Sequence, residues 1–214
     1  MTAIHTTNLG DIFDDSVFGK PALVDCRNWD DPTTYTHGEL NSAANAFALG
    51  LTAQGLKPGD VVAILSSNRA EFMIAYLGIL RAGLIAVPIN HKFSAEVIRF
   101  IFADANVSLA ICDPVRAANL DTNVPIIDFD ANGISTLDTG AGFKPEQIYK
   151  ASKTDIAMIL YTSGSTGRPK GVPLTHAGHL WALRARLGDF QQHRILVAAP
   201  LYHMNALCVS LVAW

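Results

Sequence analysis

VVAILSSNRAEFMIAYLGILRAGLIAVPINHKFSAEVIRFIFADANVSLAIC, residues 61–112, is the stretch that decides the fold. Val61–Leu65 is a short run of β-branched and aliphatic residues without polar alternation, the pattern of a strand buried on both faces. Asn68 follows where a helix cap belongs, with Glu71 in the first turn and Gly83 to stop the chain turning, so a helix is expected over about 69–82. Ile85–Ile89 reads as a second strand, Ser94 opens a helix to about Ala105, and Ser108–Cys112 reads as a third strand. Strands apolar on both faces and separated by helices require helices on each side of a parallel sheet. The fold class is therefore doubly wound α/β with a mostly parallel sheet.

Upstream, Thr36-His37-Gly38-Glu39 fits a capping box and predicts a helix over about 37–53. Downstream the pattern loosens from Asp113 to Lys153, with one apolar piece at Val124–Phe129 and Gly- and Asp-containing sequence beyond it. Order returns with a strand at Asp155–Tyr161, a Ser/Thr/Gly loop, a short strand at Val172–Leu174, a helix capped by Thr175 and a buried strand at Ile195–Ala199. Leu207–Trp214 is apolar, without cap, glycine or charged tail. That ending predicts a chain stopping inside a larger unit and, if exposed, a surface for homo-oligomer formation.

The 214 residues carry 16 basic and 19 acidic side chains, a net charge of −3, with no basic run, which argues against nucleic acid or an anionic membrane as the main partner. Half of the chain is hydrophobic and only 16% charged, so a packed core rather than disorder is expected. Phe72–Ile89 is almost entirely apolar, yet Arg81, Gly83 and Pro88 interrupt it before the roughly 20 residues of a membrane span. Cys26, Cys112 and Cys208 are odd in number and widely spaced, as suits a reducing compartment. With an acidic start in place of an export signal, the expectation is cytoplasmic.

Chemistry concentrates in Tyr161-Thr162-Ser163-Gly164-Ser165-Thr166-Gly167-Arg168-Pro169-Lys170-Gly171. Glycines let backbone amides approach an anion, hydroxyls add donors, and Lys170 supplies a point charge, so the segment reads as a phosphate-cradling loop. It is neither a Walker loop, since Lys170 is followed by Gly171, nor a GxGxxG fingerprint. His176 and His179, one turn apart, have ligand chemistry but no third partner, and no metal site is expected. Asp11, Asp14 and Asp15 read as a solvated helix-start cluster, and Cys208 as a small core residue.

YTSGSTGRPKG followed by Thr175-His176 closely resembles the phosphate-binding signature of the adenylate-forming superfamily of acyl-CoA synthetases, peptide-synthetase adenylation domains and luciferases. Thr34–Leu40, Leu77–Gly83 with Val87–Asn90, and Pro200-Leu201-Tyr202-His203 resemble further segments of that family in the same order. The resemblance implies a ligase that uses Mg-ATP to turn a small carboxylic acid into acyl-AMP and pyrophosphate, then passes the acyl group to a thiol, usually coenzyme A. It implies that Thr162, Ser163, Ser165, Thr166 and Lys170 hold phosphates, with backbone help from Gly164 and Gly167. Arg168 either joins them or faces solvent. His203 is implied as an acyl-pocket wall or carboxylate-orienting residue, although Met204-Asn205-Ala206 stands where members often carry glycine. Residues 1–129 then correspond to a first α/β lobe, 130–153 to a connection, and 154–214 to the phosphate-loop segment and start of a second lobe. The family's later glutamate, aspartate and lysine motifs do not occur before Trp214, so no catalytic residue and no activity of the chain alone is expected. A non-catalytic nucleotide- or partner-binding module on the same scaffold, and an adenylation domain loading a carrier protein, stay open.

Overall fold

The computed structural model describes residues 6–131, 144–162, 168–186 and 194–214. A hairpin of β1 (Pro21–Asp25) and β2 (Thr33–Thr36) precedes α1 (His37–Ala53). The alternating unit follows as β3 (Val61–Leu65), α2 (Ala70–Arg81), β4 (Ile85–Pro88), α3 (Ala95–Asp104), β5 (Val107–Cys112), α4 (Pro114–Ala117) and β6 (Ile126–Asp128). β7 (Ile156–Thr162), β8 (Lys170–Thr175), α5 (His176–Arg184) and α6 (Met204–Val212) complete the described elements. One six-stranded sheet runs β6-β5-β3-β4-β7-β8. Its first five strands are parallel and β8 is antiparallel to β7.

The connection from β3 to β4 steps one way along the sheet and that from β4 to β5 steps back across β3. Right-handed crossovers therefore put α2 and α3 on opposite faces. Packing agrees: Val62 and Ile64 join a core with Phe47, Phe72 and Tyr76, whereas Val61, Ala63 and Leu65 pack with Ile98, Ile101 and Phe102 of α3.

The capping box forms as expected, with the Glu39 amide donating to Thr36 Oγ1 at 3.1 Å and the Thr36 amide donating to Glu39 Oε2 at 2.8 Å. Gly83 ends α2 at φ +76°, where a Cβ would also lie 2.5 Å from Tyr149 Cγ. The apolar α2 carries one internal charge. Arg81, fully buried, donates from Nε to Gly10 O at 2.7 Å, from Nη1 to Asn41 O at 2.8 Å and to Asn45 Oδ1, and from Nη2 to Asn41 Oδ1 at 2.8 Å. Residues 8–10 pack against the end of α2 and the start of α5. Asn8 donates to Leu80 O and Tyr149 O, each at 2.8 Å, and Leu9, wholly buried, donates its amide to His176 Nδ1 at 3.0 Å.

Two expectations need correction. Asn68 does not cap α2: the Ala70 amide donates to Asp25 Oδ2 at 3.0 Å, so the hairpin supplies the cap. Residues 195–199 form no strand, because their polar groups meet the Asn68 side chain rather than a ladder. The terminal apolar run is in part packed against the rest of the chain. It is largely α6, with Leu207 and Leu211 buried and Trp214 Nε1 donating to Ala22 O at 2.9 Å. No described helix is long and apolar enough to cross a membrane.

Candidate functional site

Parallel strands present their carboxyl ends along one edge, where open α/β sheets bind ligands. β7 delivers Thr162 to that edge and β8 leaves it from Lys170, the two residues being register partners that close a hairpin. Both are exposed. Ser163, Gly164, Ser165, Thr166 and Gly167, also expected to bind phosphate, lie outside the described residues.

The hairpin stem is fastened to α3. Tyr161 lies opposite Gly171, whose missing Cβ leaves room for the ring: a Cβ there would come 3.0 Å from Tyr161 Cζ and 3.0 Å from Ile159 Cγ2. The freed phenol donates to Asp104 Oδ2 at 2.6 Å, and burial together with that carboxylate raises its pKa. Arg168, open between phosphate and solvent on sequence alone, sets its guanidinium 5.7 Å from the Phe100 ring centre, a cation–π contact with α3.

His203 stands on the same edge by a different route. It is the N-cap residue of α6, is exposed, and its ring centroid lies 4.7 Å from that of Tyr202. Tyr202 is buried and meets His91 edge to face at 5.4 Å. His91 follows β4, and its Nδ1 lies 3.2 Å from Ser66 O just beyond β3. Burial lowers the His91 pKa and neighbouring Arg116 adds to the effect. Asn68 Oδ1 accepts from the Leu201 amide at 2.8 Å, while Nδ2 donates to Ala199 O at 2.9 Å and Val197 O at 3.4 Å. A cavity of about 270 Å³ opens beside His91, floored by Leu65, Phe93 and Ile98 and edged by Arg116.

The remaining candidates have structural duties. His176 Nδ1 accepts from the Leu9 amide, and His179 Nδ1 lies 3.2 Å from Thr175 O. Among the described residues no group of three His, Cys, Asp or Glu side chains could hold a metal. Asp14 accepts from the Ser16 amide at 2.9 Å, and Cys208 Sγ lies 3.4 Å from Met204 Sδ. The sequence reading missed His91, Tyr202 and Asn68. For Asn68 and His91 the available signal was their position after the ends of β3 and β4, where side chains of a parallel sheet reach its ligand edge.

The family model for the AMP-binding enzyme matches residues 15–214. The chain is 32% identical over 185 residues to a feruloyl-CoA synthase of Amycolatopsis sp, covering 82% of this chain and 36% of that protein. It is 33% identical over 191 residues to the long-chain-fatty-acid–CoA ligase FadD13 of Mycobacterium tuberculosis, covering 80% and 36%. Among solved structures, the o-succinylbenzoate coenzyme A synthetase MenE of Bacillus subtilis in complex with AMP superposes with a TM-score of 0.72 at 31% identity, covering 85% of this chain and 47% of that one. The chain thus spans 36% of the length of these curated relatives. With nearly the whole sequence inside one family model and about a third of the aligned residues identical to those of CoA ligases, the chain belongs to the AMP-binding enzyme family.

Proposed function

We propose that these residues are the N-terminal part of an AMP-forming acyl-CoA synthetase. In this reading a small carboxylic acid attacks the α-phosphate of Mg-ATP, pyrophosphate leaves, and coenzyme A takes the acyl group from acyl-AMP. The observation that carries it is the pairing of Thr162 with Lys170 at the ligand edge of the sheet, at the two ends of the family's signature. An exposed hydroxyl opposite an exposed ammonium is a fitting pair for a phosphate oxygen. Ser163, Ser165 and Thr166 would add hydroxyls, and Gly164 and Gly167 backbone amides. His203 would border the acyl group. In the same reading the family's magnesium-binding glutamate would belong to its later motifs, which do not occur before Trp214. A cytoplasmic setting, the lobe boundaries near 129 and 154, and coenzyme A rather than a carrier protein as acceptor belong to the same proposal.

ATP–pyrophosphate exchange tests it, with ferulate and dodecanoate as probe acids, on the intact protein encoded by the natural reading frame and on the 214-residue chain. The intact protein is expected to exchange, and the 214-residue chain to be silent. Lys170→Ala in the intact protein is expected to lower kcat/KM for ATP by about 10²-fold. Nucleotide binding without exchange would mark a non-catalytic module instead.

A further inference from the structure

We propose that Asn68 is a positioning residue for His203. A capping-type residue sits one place before the N-cap of α2, yet its side chain turns away and Asp25, from the hairpin, takes over the helix terminus. The freed amide is spent on residues about 130 positions along the chain: Oδ1 receives the Leu201 amide, and Nδ2 donates to the carbonyls of Val197 and Ala199. That segment has no ladder of its own, so the Asn68 amide imitates a strand partner and fixes where the backbone crosses the carboxyl end of β3.

The clamp acts two residues before His203. Leu201 and Tyr202 are buried, Tyr202 is held edge-on by His91, and His91 is tied to Ser66 O. The His203 amide donates to Pro200 O at 2.9 Å, closing the turn that carries the ring. The exposed imidazole thus stands on a rigid mount whose anchors, Asn68 and Ser66, both follow β3. Side chains that orient a reacting partner gain most when their own backbone is fixed, since displacements near 1 Å cost large factors in rate. The proposal rests on His203 facing the acyl group.

In the 214-residue chain, Asn68→Ala is expected to speed hydrogen exchange of the Leu201 amide by roughly ten-fold or more, while the β3 and β5 amides keep their protection. The His203 Cε1–H resonance should move toward that of free histidine as the Tyr202 ring loses its fixed place. Asn68→Asp, which keeps the acceptor for Leu201 but sets a carboxylate against two carbonyls, should fall between wild type and Asn68→Ala. Unchanged Leu201 exchange and an unchanged His203 resonance overturn the clamp. In the intact protein, assayed by pyrophosphate exchange with ferulate and dodecanoate, Asn68→Ala and His203→Ala should each raise the half-saturating acid concentration by roughly ten-fold and leave that of ATP in place. An effect of His203→Ala alone sinks the positioning role. No effect of either sinks the acyl-side reading of His203 and the proposal with it.

Discussion

Arg81 shows what a single residue can hide from a sequence reading. It interrupts the apolar stretch 72–89 as the last residue of α2, yet it is fully buried and donates hydrogen bonds to Gly10, Asn41 and Asn45. Burial lowers its pKa to about 10, with Asp11 opposing the effect. Arg81→Ala strands those acceptors, and equilibrium urea unfolding should register a loss of about 3 kcal/mol or more. His176 makes a pH prediction. Burial takes its pKa from 6.5 to about 4 against the pull of Asp155. As pH falls through that interval the unfolded chain binds a proton that the folded chain refuses. Stability should therefore be complete above 6.5 and decline by about 1.4 kcal/mol per pH unit toward 4, on the order of 3 kcal/mol in all. His176→Asn should flatten the acid limb of a urea-midpoint titration by one proton, and an unchanged slope would assign the titration elsewhere.

At the scale of elements, legibility tracked how local the signal was. The Thr36 capping box and the stop at Gly83 depend on neighbours within a turn, and both ends of α1 and the end of α2 fall where their residues place them. The β1–β2 hairpin went unread because its strands are half exposed and lack a continuous apolar run. The cap of α2 was misassigned because Asp25 is distant in sequence, and no local pattern reports such a partner. Two substitutions check this division. Thr36→Ala should cost about 1 kcal/mol by thermal or urea unfolding, the loss of one cap. Asp25→Ala should destabilise α2 by about 1–2 kcal/mol, and more than Asn68→Ala does, reversing the order the local sequence suggests.

Across the whole molecule, the doubly wound pattern was legible because β3, β4 and β5 are buried on both faces and their helices alternate sides. The insertion of β7 beside β4 was not, since that pairing spans residues 86 and 158 and leaves no mark on either segment. The site divides in the same way. Lys170 could be read as a point charge in a Ser/Thr/Gly loop and Thr162 was implied by the family resemblance, whereas the path by which His91 and Tyr202 reach His203 required three dimensions. Electrostatic bonds also join distant parts. Arg69 pairs with Glu71 at 2.8 Å and with Asp130, and Arg27 bridges Asp25 and Glu71, so the hairpin, α2 and the end of β6 share one ion ladder.

The tucked N-terminal segment bears on how the protein is made. Residues 6–12 precede the start of the family match at residue 15, yet Leu9 is sealed from water and is held by His176, while Asn8 is held by Tyr149. On a ribosome residues 8 and 9 emerge long before these partners exist, and domains otherwise tend to organise from the N-terminal side. Asn8 and Leu9 stay unfastened until about 170 further residues have been added, so this part of the core can close only once α5 has begun.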